Sequence, residues 1–156
     1  MRKTGFQITT GLLFVISSAS ATIIRVPQDQ PTIQARIDAA VNGDTVLVAP
    51  GNYSLNINFN GKAILVRSGV GPDGTQISAV VTNIPIVRFP PGTYSPTLDG
   101  FEITGATDNP AILVEGGSPT IVYNILQGNT FFAIKIVGRF TNLSKNTFTG
   151  NTPWTI

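Results

Sequence analysis

The chain has 156 residues with ten Lys or Arg, eight Asp or Glu, and neither His nor Cys. The missing side chains exclude imidazole and thiolate metal sites, Ser-His-Asp triads and Cys-His dyads, and the near balance of charge argues against nucleic-acid binding. Sixteen Gly, eleven Pro and few charged residues are typical of short strands separated by turns.

The first 21 residues have the pattern of a secretory signal peptide. Met1-Arg2-Lys3 is basic, residues 11–16 are apolar, and Ala19-Ser20-Ala21 supplies small residues for cleavage. The apolar stretch is about half of the ~20 residues that a membrane-spanning helix needs, and an uncleaved anchor is the alternative. Cleavage after Ala21 predicts one mature domain, residues 22–156, without a membrane span. It leaves eight basic and eight acidic residues in a protein that is secreted, periplasmic or on the cell surface.

One helix is predicted near the start of the mature chain. Apolar residues recur at spacings of three and four between Thr32 and Val41, and Asn42-Gly43 ends the pattern. The single apolar stripe contains Ile33 and Ile37 and needs one surface to cover. We expect that surface to be the first turn of a β-coil.

The remaining chain contains an internal repeat. Residues 95–98 (SPTL) recur 23 positions later as 118–121 (SPTI), and residues 111–114 (AILV) recur 22 positions later as 133–136 (AIKI). A fixed period of this length with no further helix predicts an all-β solenoid of about five coils. Parallel crossovers are right-handed in nearly all proteins, so the predicted fold is a right-handed parallel β-helix with an N-terminal capping α-helix.

Alternation along each strand predicts which side chains point inward. Arg88, Leu113 and Lys135 should point outward. Asn124 and Asn146 are expected at an inward corner, where stacked amides hydrogen-bond along the solenoid; a ligand role is the alternative. The expected inward stacks are Val87, Ile112 and Ile134; Phe89, Val114 and Ile136; Leu98, Ile121 and Leu143; and Ile103, Leu126 and Phe148.

Three segments resemble a known family. Residues 31–40 (PTIQARIDAA), 43–48 (GDTVLV) and 50–53 (PGNY) are similar to the N-terminal cap and first coil of pectin lyase-like β-helix proteins. The resemblance implies the β-helix fold and a superfamily of pectin methylesterases, polysaccharide lyases, polygalacturonase-type hydrolases and exported repeat proteins. The paired and clustered aspartates of its enzymes do not occur in this sequence. We therefore expect no catalysis by this chain and no cofactor, with calcium expected only for a lyase.

Four charged residues are the candidates for chemistry. Asp99 and Glu102 are expected on the outer face of one strand, with Arg88 and Lys135 on a neighbouring outer face. Two carboxylates can divide acid and base roles in sugar chemistry when their separation suits the reaction. The alternative is that these residues are ordinary solvated surface charges.

A second candidate is an aromatic surface for carbohydrate. Tyr123 is expected to point outward beside Val122 and Ile125, with Lys145 one coil further along. A ring beside polar groups can hold one face of a sugar, whereas a lone surface tyrosine is commonly part of the scaffold.

These patterns favour an exported, non-catalytic β-helix module, structural or adhesive, that contacts polysaccharide. The alternative is the N-terminal part of a pectin lyase-like lyase or hydrolase whose active site lies on later coils. A third hypothesis is self-association, or further coils, at an open C-terminal edge, because residues 153–156 begin a coil that does not close. Pro153 and Trp154 could instead fold over that edge as a plug.

Overall fold

The computed structural model describes residues 20–92, 94–138 and 140–152. Residues 1–19 of the expected leader, which spans residues 1–21, and the expected plug at Pro153 and Trp154 lie outside the described residues. The elements in chain order are β1 (Ile23–Val26), α1 (Ile33–Ala39), β2 (Thr45–Val48), β3 (Gly51–Ser54), β4 (Ile57–Asn58), β5 (Leu65–Ser68), a 3₁₀ turn (Pro72–Gly74), β6 (Thr75–Ser78), β7 (Val87–Phe89), β8 (Thr97–Asp99), β9 (Glu102–Thr104), β10 (Ile112–Val114), β11 (Thr120–Val122), β12 (Ile125–Gln127), β13 (Ile134–Ile136), β14 (Asn142–Ser144) and β15 (Thr147–Thr149).

Three parallel sheets form the three sides of the coil. One sheet has six strands in the order β1-β2-β5-β8-β11-β14, one has four in the order β13-β10-β7-β4, and one has five in the order β15-β12-β9-β6-β3. Each complete coil contributes one short strand to each side, and the stack has about five turns. The predicted all-β parallel β-helix with one capping helix is confirmed for the described residues.

The strand register confirms the predicted inward stacks. Most members of these stacks are fully buried, and the three that are only partly buried, Ile136, Leu143 and Phe148, lie in the last described coils. The pairs in register are Ile112 with Val87 and with Ile134, Ile121 with Leu98 and with Leu143, and Leu126 with Ile103 and with Phe148. The period of the sequence is therefore the circumference of the coil.

Helix α1 covers the first coil with its apolar stripe. Ile33 and Ile37 are fully buried in the common core. Thr32 is the N-cap, because its Oγ1 accepts a hydrogen bond from the backbone amide of Ala35 at 3.1 Å. The helix ends at Ala39 and not at the predicted Val41. We attribute the earlier end to Asp44, since its carboxylate accepts the Val41 amide at 2.9 Å.

A lysine fastens the end of α1 to the first coil. Lys62 Nζ donates to the backbone carbonyls of Ile37, Asp38 and Ala40 at 2.7–2.8 Å. The last carbonyls of a helix lack intrahelical partners and carry partial negative charge, so a cation there stabilises the helix. The cap is thus held by polar contacts as well as by its buried isoleucines.

In the later coils, the chain turns from the six-stranded sheet to the five-stranded sheet at a residue with positive φ. That residue is Gly100, Tyr123 or Lys145, with φ of 80°, 57° and 56° respectively. The left-handed conformation is easiest for glycine, and the two non-glycine residues here occupy corresponding places one coil apart.

Candidate functional site

A groove of about 320 Å³ lies on the outer face of the four-stranded sheet. Its floor contains Asn58 of β4, Arg88 of β7 and Leu113 of β10, which are neighbours in register. Gln34 of α1 lines one side, and residues 83–85 of the connection between β6 and β7 line another. Three different parts of the chain therefore meet around one concave site.

Arg88 and Glu115 form an ion pair in this groove. Arg88 Nε donates to Glu115 Oε2 at 2.6 Å, and the two side chains are 41% and 27% exposed. This hydrogen bond raises the pKa of the Arg88 guanidinium above its ordinary value, so the group is permanently charged. Within the described residues, the terminal guanidinium nitrogens of Arg88 have no hydrogen-bond partner, so they are available to a ligand oxygen.

Gln34 joins the helix to the floor of the groove. Its Oε1 accepts the Asn58 amide at 2.7 Å, and its Nε2 donates to the Asn58 carbonyl at 3.2 Å and to Asp38 Oδ1 at 2.8 Å. Since β4 is the outermost strand of its sheet, the side-chain amide takes the place of a neighbouring strand. It closes the sheet edge and fixes one side of the groove.

Asn56 holds the opposite side in place. Its Oδ1 accepts the Val81 amide at 3.0 Å, and its Nδ2 donates to the carbonyls of Val81 and Pro85, each at 3.0 Å. These bonds anchor the connection that carries Asn83 and Ile84. Asn83 is exposed and Ile84 is 47% exposed, so the anchored connection presents both an amide and an apolar surface to solvent.

The structure separates the two predicted carboxylates. Asp99 lies on β8 of the six-stranded sheet, where its Oδ2 is 3.7 Å from Arg67 Nε. Glu102 lies on β9 of the five-stranded sheet. The expectation that both occupy one strand is wrong, because Gly100, with φ of 80°, turns the chain between them.

The two predicted cations share one outer face. Arg88 and Lys135 both belong to the four-stranded sheet, and Leu113 lies between them in register. Arg88 lines the groove, whereas Lys135 is exposed beyond it. The expected group of two acids and two cations is therefore not assembled at one place.

Tyr123 and Lys145 lie together one coil apart. Lys145 Nζ donates to the Tyr123 hydroxyl and is 4.7 Å from the ring centroid. The ring is 48% exposed, and the neighbouring Val122 and Ile125 are partly buried. The pair forms an exposed aromatic corner on a side of the solenoid different from the groove, and carbohydrate binding there stays a prediction.

Asn124 and Asn146 form a ladder at the inward corner. Asn124 Oδ1 accepts the Phe101 amide at 2.9 Å, and its Nδ2 donates to the Leu98 carbonyl and to Asn146 Oδ1, each at 3.1 Å. The backbone N–H of Asn124 also donates to Asn146 Oδ1, at 2.9 Å. Asn124 is 1% exposed, so its polar groups are satisfied inside the protein and face no ligand.

A second ladder of the same kind was not assigned from the sequence. Asn129 and Asn151 are fully or almost fully buried at the next corner. Asn129 Oδ1 accepts the Ala106 amide at 3.0 Å, and Asn129 Nδ2 donates to Asn151 Oδ1 at 3.0 Å. The signal was the spacing of 22 residues between these asparagines, which equals that between Asn124 and Asn146.

Most residues of the groove carried no such signal. Gln34 belongs to the cap helix, and Asn56 and Asn83 belong to parts of the chain that do not repeat. Glu115 follows a repeated strand, but its contact with Arg88 joins residues 27 positions apart, which is not one period. Their convergence depends on how the connections fold back over the sheet.

Comparisons of the chain with protein-family models, with curated proteins and with solved structures found no match. In residues 20–92, 94–138 and 140–152, no group of three or more acidic side chains is placed to hold a metal ion. No helix in the same part of the chain is long and apolar enough to cross a membrane. The structure thus shows a parallel β-solenoid, whereas the pectin lyase-like resemblance stays an expectation.

Proposed function

We propose that the chain is an exported, non-catalytic β-solenoid module that binds polysaccharide in the groove between α1 and the β6–β7 connection. The lining of the groove carries the proposal. Its side-chain amides donate and accept hydrogen bonds, the Arg88 guanidinium donates them, and Leu113 and Ile84 supply apolar surface. Sugars present hydroxyl groups at their edges and C–H groups on their faces, so a site for them combines these two kinds of surface.

The groove is held in shape before any ligand arrives. Gln34 fixes the helix side through both backbone groups of Asn58, and Asn56 fixes the opposite side through Val81 and Pro85. A preformed site loses little conformational entropy on binding. This supports a recognition role for the groove.

The charges of the groove support binding over hydrolysis. Among the described residues, Glu115 is the one acidic residue that lines it, and its carboxylate is engaged by Arg88. Glycoside hydrolysis generally requires two carboxyl groups at a defined separation across the scissile bond. Asp99 and Glu102 lie on the other two sheets and cannot supply the second group.

The repeating face supports a polymer as the ligand. Asn58, Arg88, Leu113 and Lys135 form one outward column across four strands. At ~4.8 Å between strands the column is about 14 Å long, which is enough for several consecutive sugar units. A linear chain laid along the column would contact polar and apolar side chains in turn.

A glycan array on the mature chain, residues 22–156, tests the proposal. We expect binding to one class of polysaccharide, and a loss of at least about tenfold in affinity for Arg88→Ala. The matched control is Arg67→Ala. This variant also breaks an Arg–carboxylate pair on the outer surface, but the pair lies on the six-stranded sheet, away from the groove. Arrays without binding, or an equal loss in both variants, would contradict the proposal.

The variant Tyr123→Ala, measured on the same array, tests whether the aromatic corner binds polysaccharide. We expect this variant to bind like the parent chain, because the aromatic corner lies between the other two sheets and outside the four-stranded sheet. Loss of binding with Tyr123→Ala and retention with Arg88→Ala would move the site to the corner formed by Tyr123 and Lys145.

A further inference from the structure

Asp44 is a buried carboxylate beside the start of the expected mature chain. The residue is 4% exposed, and its Oδ1 accepts the backbone N–H of Thr22 at 2.9 Å. Its Oδ2 accepts the backbone N–H of Val41 at 2.9 Å. The bonds from Val41 and then from Thr22 lower the pKa of Asp44, so the carboxylate is charged at neutral pH.

Thr22 is the residue that follows the expected cleavage site at Ala21. Hydrolysis breaks the bond between the Ala21 carbonyl carbon and the Thr22 nitrogen; water supplies a hydroxyl group to the carbon and a hydrogen to the nitrogen. The new carboxylic acid then loses a proton, and the new amine gains one at neutral pH. The atom that becomes an ammonium group is the same atom that already lies 2.9 Å from Asp44 Oδ1.

The backbone around Thr22 is fixed independently of the leader. The Thr22 carbonyl accepts the Thr45 amide at 2.9 Å. Strand β1 follows at once, and it pairs in parallel register with β2 from Ile23 and Thr45 onward. Residue 22 therefore stays beside Asp44 when the residues before it are removed.

We infer that Asp44 is the binding site for the protein's own N-terminal ammonium group, which forms when the leader is removed after Ala21. The inference rests on the export that the proposed function includes, and it does not depend on polysaccharide binding. Cleavage exchanges a hydrogen bond in which only the carboxylate is charged for one in which the ammonium donor is charged as well, which adds a Coulombic attraction between the two groups. The mature protein thus fastens β1 to β2 more firmly than the precursor does.

The nearby charges set the direction of the pH dependence. Arg36 of α1 and Lys62 of the first coil lower the pKa of Asp44 through their positive charge, and they oppose a further cation. The ion pair with Asp44 raises the pKa of the ammonium group above the ordinary range of about 7.7–8.0. As long as Asp44 is charged, the stabilisation is therefore complete below pH ~8, and it is lost as the pH rises through the folded-state pKa of the ammonium group.

The experiment begins with the exported protein from the full chain. N-terminal sequencing should give Thr22 as the first residue, and any other start would overturn the inference. The pKa of its α-amino group is then measured by NMR beside that of a chain of residues 21–156, in which Thr22 keeps its amide. We expect the value for Thr22 to be higher by about one unit or more, and equal values would overturn the inference.

Asp44→Asn supplies a second readout. In that variant the α-amino pKa should fall to the value of the 21–156 chain, and an unchanged elevated value would show that Asp44 is not the partner. The parent comparison of 22–156 with 21–156 remains decisive if the variant fails to fold. Glycan binding by 22–156 and 21–156 should be equal, so a failed array and a failed ammonium site give different results.

Discussion

Two tyrosines close corners of the coil in the same way. The Tyr53 hydroxyl donates to the Ala49 carbonyl at 2.9 Å, and the Tyr94 hydroxyl donates to the Pro90 carbonyl at 2.6 Å. Each tyrosine comes two positions after a glycine with positive φ, which is 150° at Gly51 and 147° at Gly92. A Cβ at Gly92 would lie 3.3 Å from the Tyr94 ring, so glycine suits this corner for space as well as for conformation.

Tyr94 makes the free energy of unfolding depend on pH in the alkaline range. Burial raises the pKa of Tyr94 to about 12 from an ordinary 10.0. Between these values the unfolded chain releases the phenolic proton and the folded protein keeps it. The stabilisation from Tyr94 is therefore complete below pH 10 and is lost towards pH 12.

We predict that Tyr94→Phe will reduce the decline in the free energy of unfolding between pH 10 and 12, measured by urea denaturation at each pH. The control is Tyr123→Phe, because Tyr123 is 48% exposed. The free energy of unfolding of this variant should decline with pH as that of the parent chain does. The same slope in Tyr94→Phe and in the parent chain would disprove the role of Tyr94.

Asn124 links two coils through its amide. We predict that Asn124→Ala will lower the free energy of unfolding by about 2–4 kcal/mol, because the Phe101 amide and the Leu98 carbonyl lose their partner inside the core. Gln127→Ala, an exposed amide on the adjacent strand β12, should change stability by less than about 0.5 kcal/mol. Similar losses in the two variants, measured by denaturant titration, would contradict a structural role for the ladder.

At the scale of the elements, the cap helix should be essential because its apolar stripe closes one end of the core. We predict that Ile37→Asp will lower the free energy of unfolding by about 3–5 kcal/mol, since it places an unpaired charge at a fully buried position. The matched control is Ala39→Asp, an exposed position in the same helix. An unchanged melting midpoint for Ile37→Asp would refute the assignment of α1 as a cap.

The elements also show why the fold could be predicted and the groove could not. The stack of Val87, Ile112 and Ile134 follows from alternation and period, because a parallel solenoid places equivalent residues of successive coils in register. The misplacement of Asp99 and Glu102 came from one unrecognised turn residue, Gly100. A shift of this kind moves a side chain to another sheet while leaving the repeat unchanged.

The groove depends on contacts that no period encodes. Asn56 reaches across to Val81 and Pro85, and Gln34 reaches the edge of β4. Such contacts between a connection or a helix and the sheet are set by tertiary packing. Arg88 was among the predicted residues because it lies on a repeated strand, and its partner Glu115 was missed because it follows one.

At the scale of the whole molecule, residues 22–156 should not degrade acidic polysaccharides. We predict no unsaturated uronate absorbance above buffer when this chain is incubated with pectin or alginate, because Asp99 and Glu102 lie on different sheets and Glu115 is paired with Arg88. Activity that disappears in Asp99→Ala or Glu102→Ala would contradict the non-catalytic assignment.

The groove on the four-stranded sheet is the central claim, and NMR of the ¹⁵N-labelled mature chain with an oligosaccharide of the bound polysaccharide tests it most directly. The Nε–H signal of Arg88 and the backbone amides of residues 56–58, 83–84, 86–88 and 113–115 should shift together and saturate with one affinity. Changes that cluster instead around Tyr123 and Lys145, or no changes in the groove at saturation, would contradict the claim.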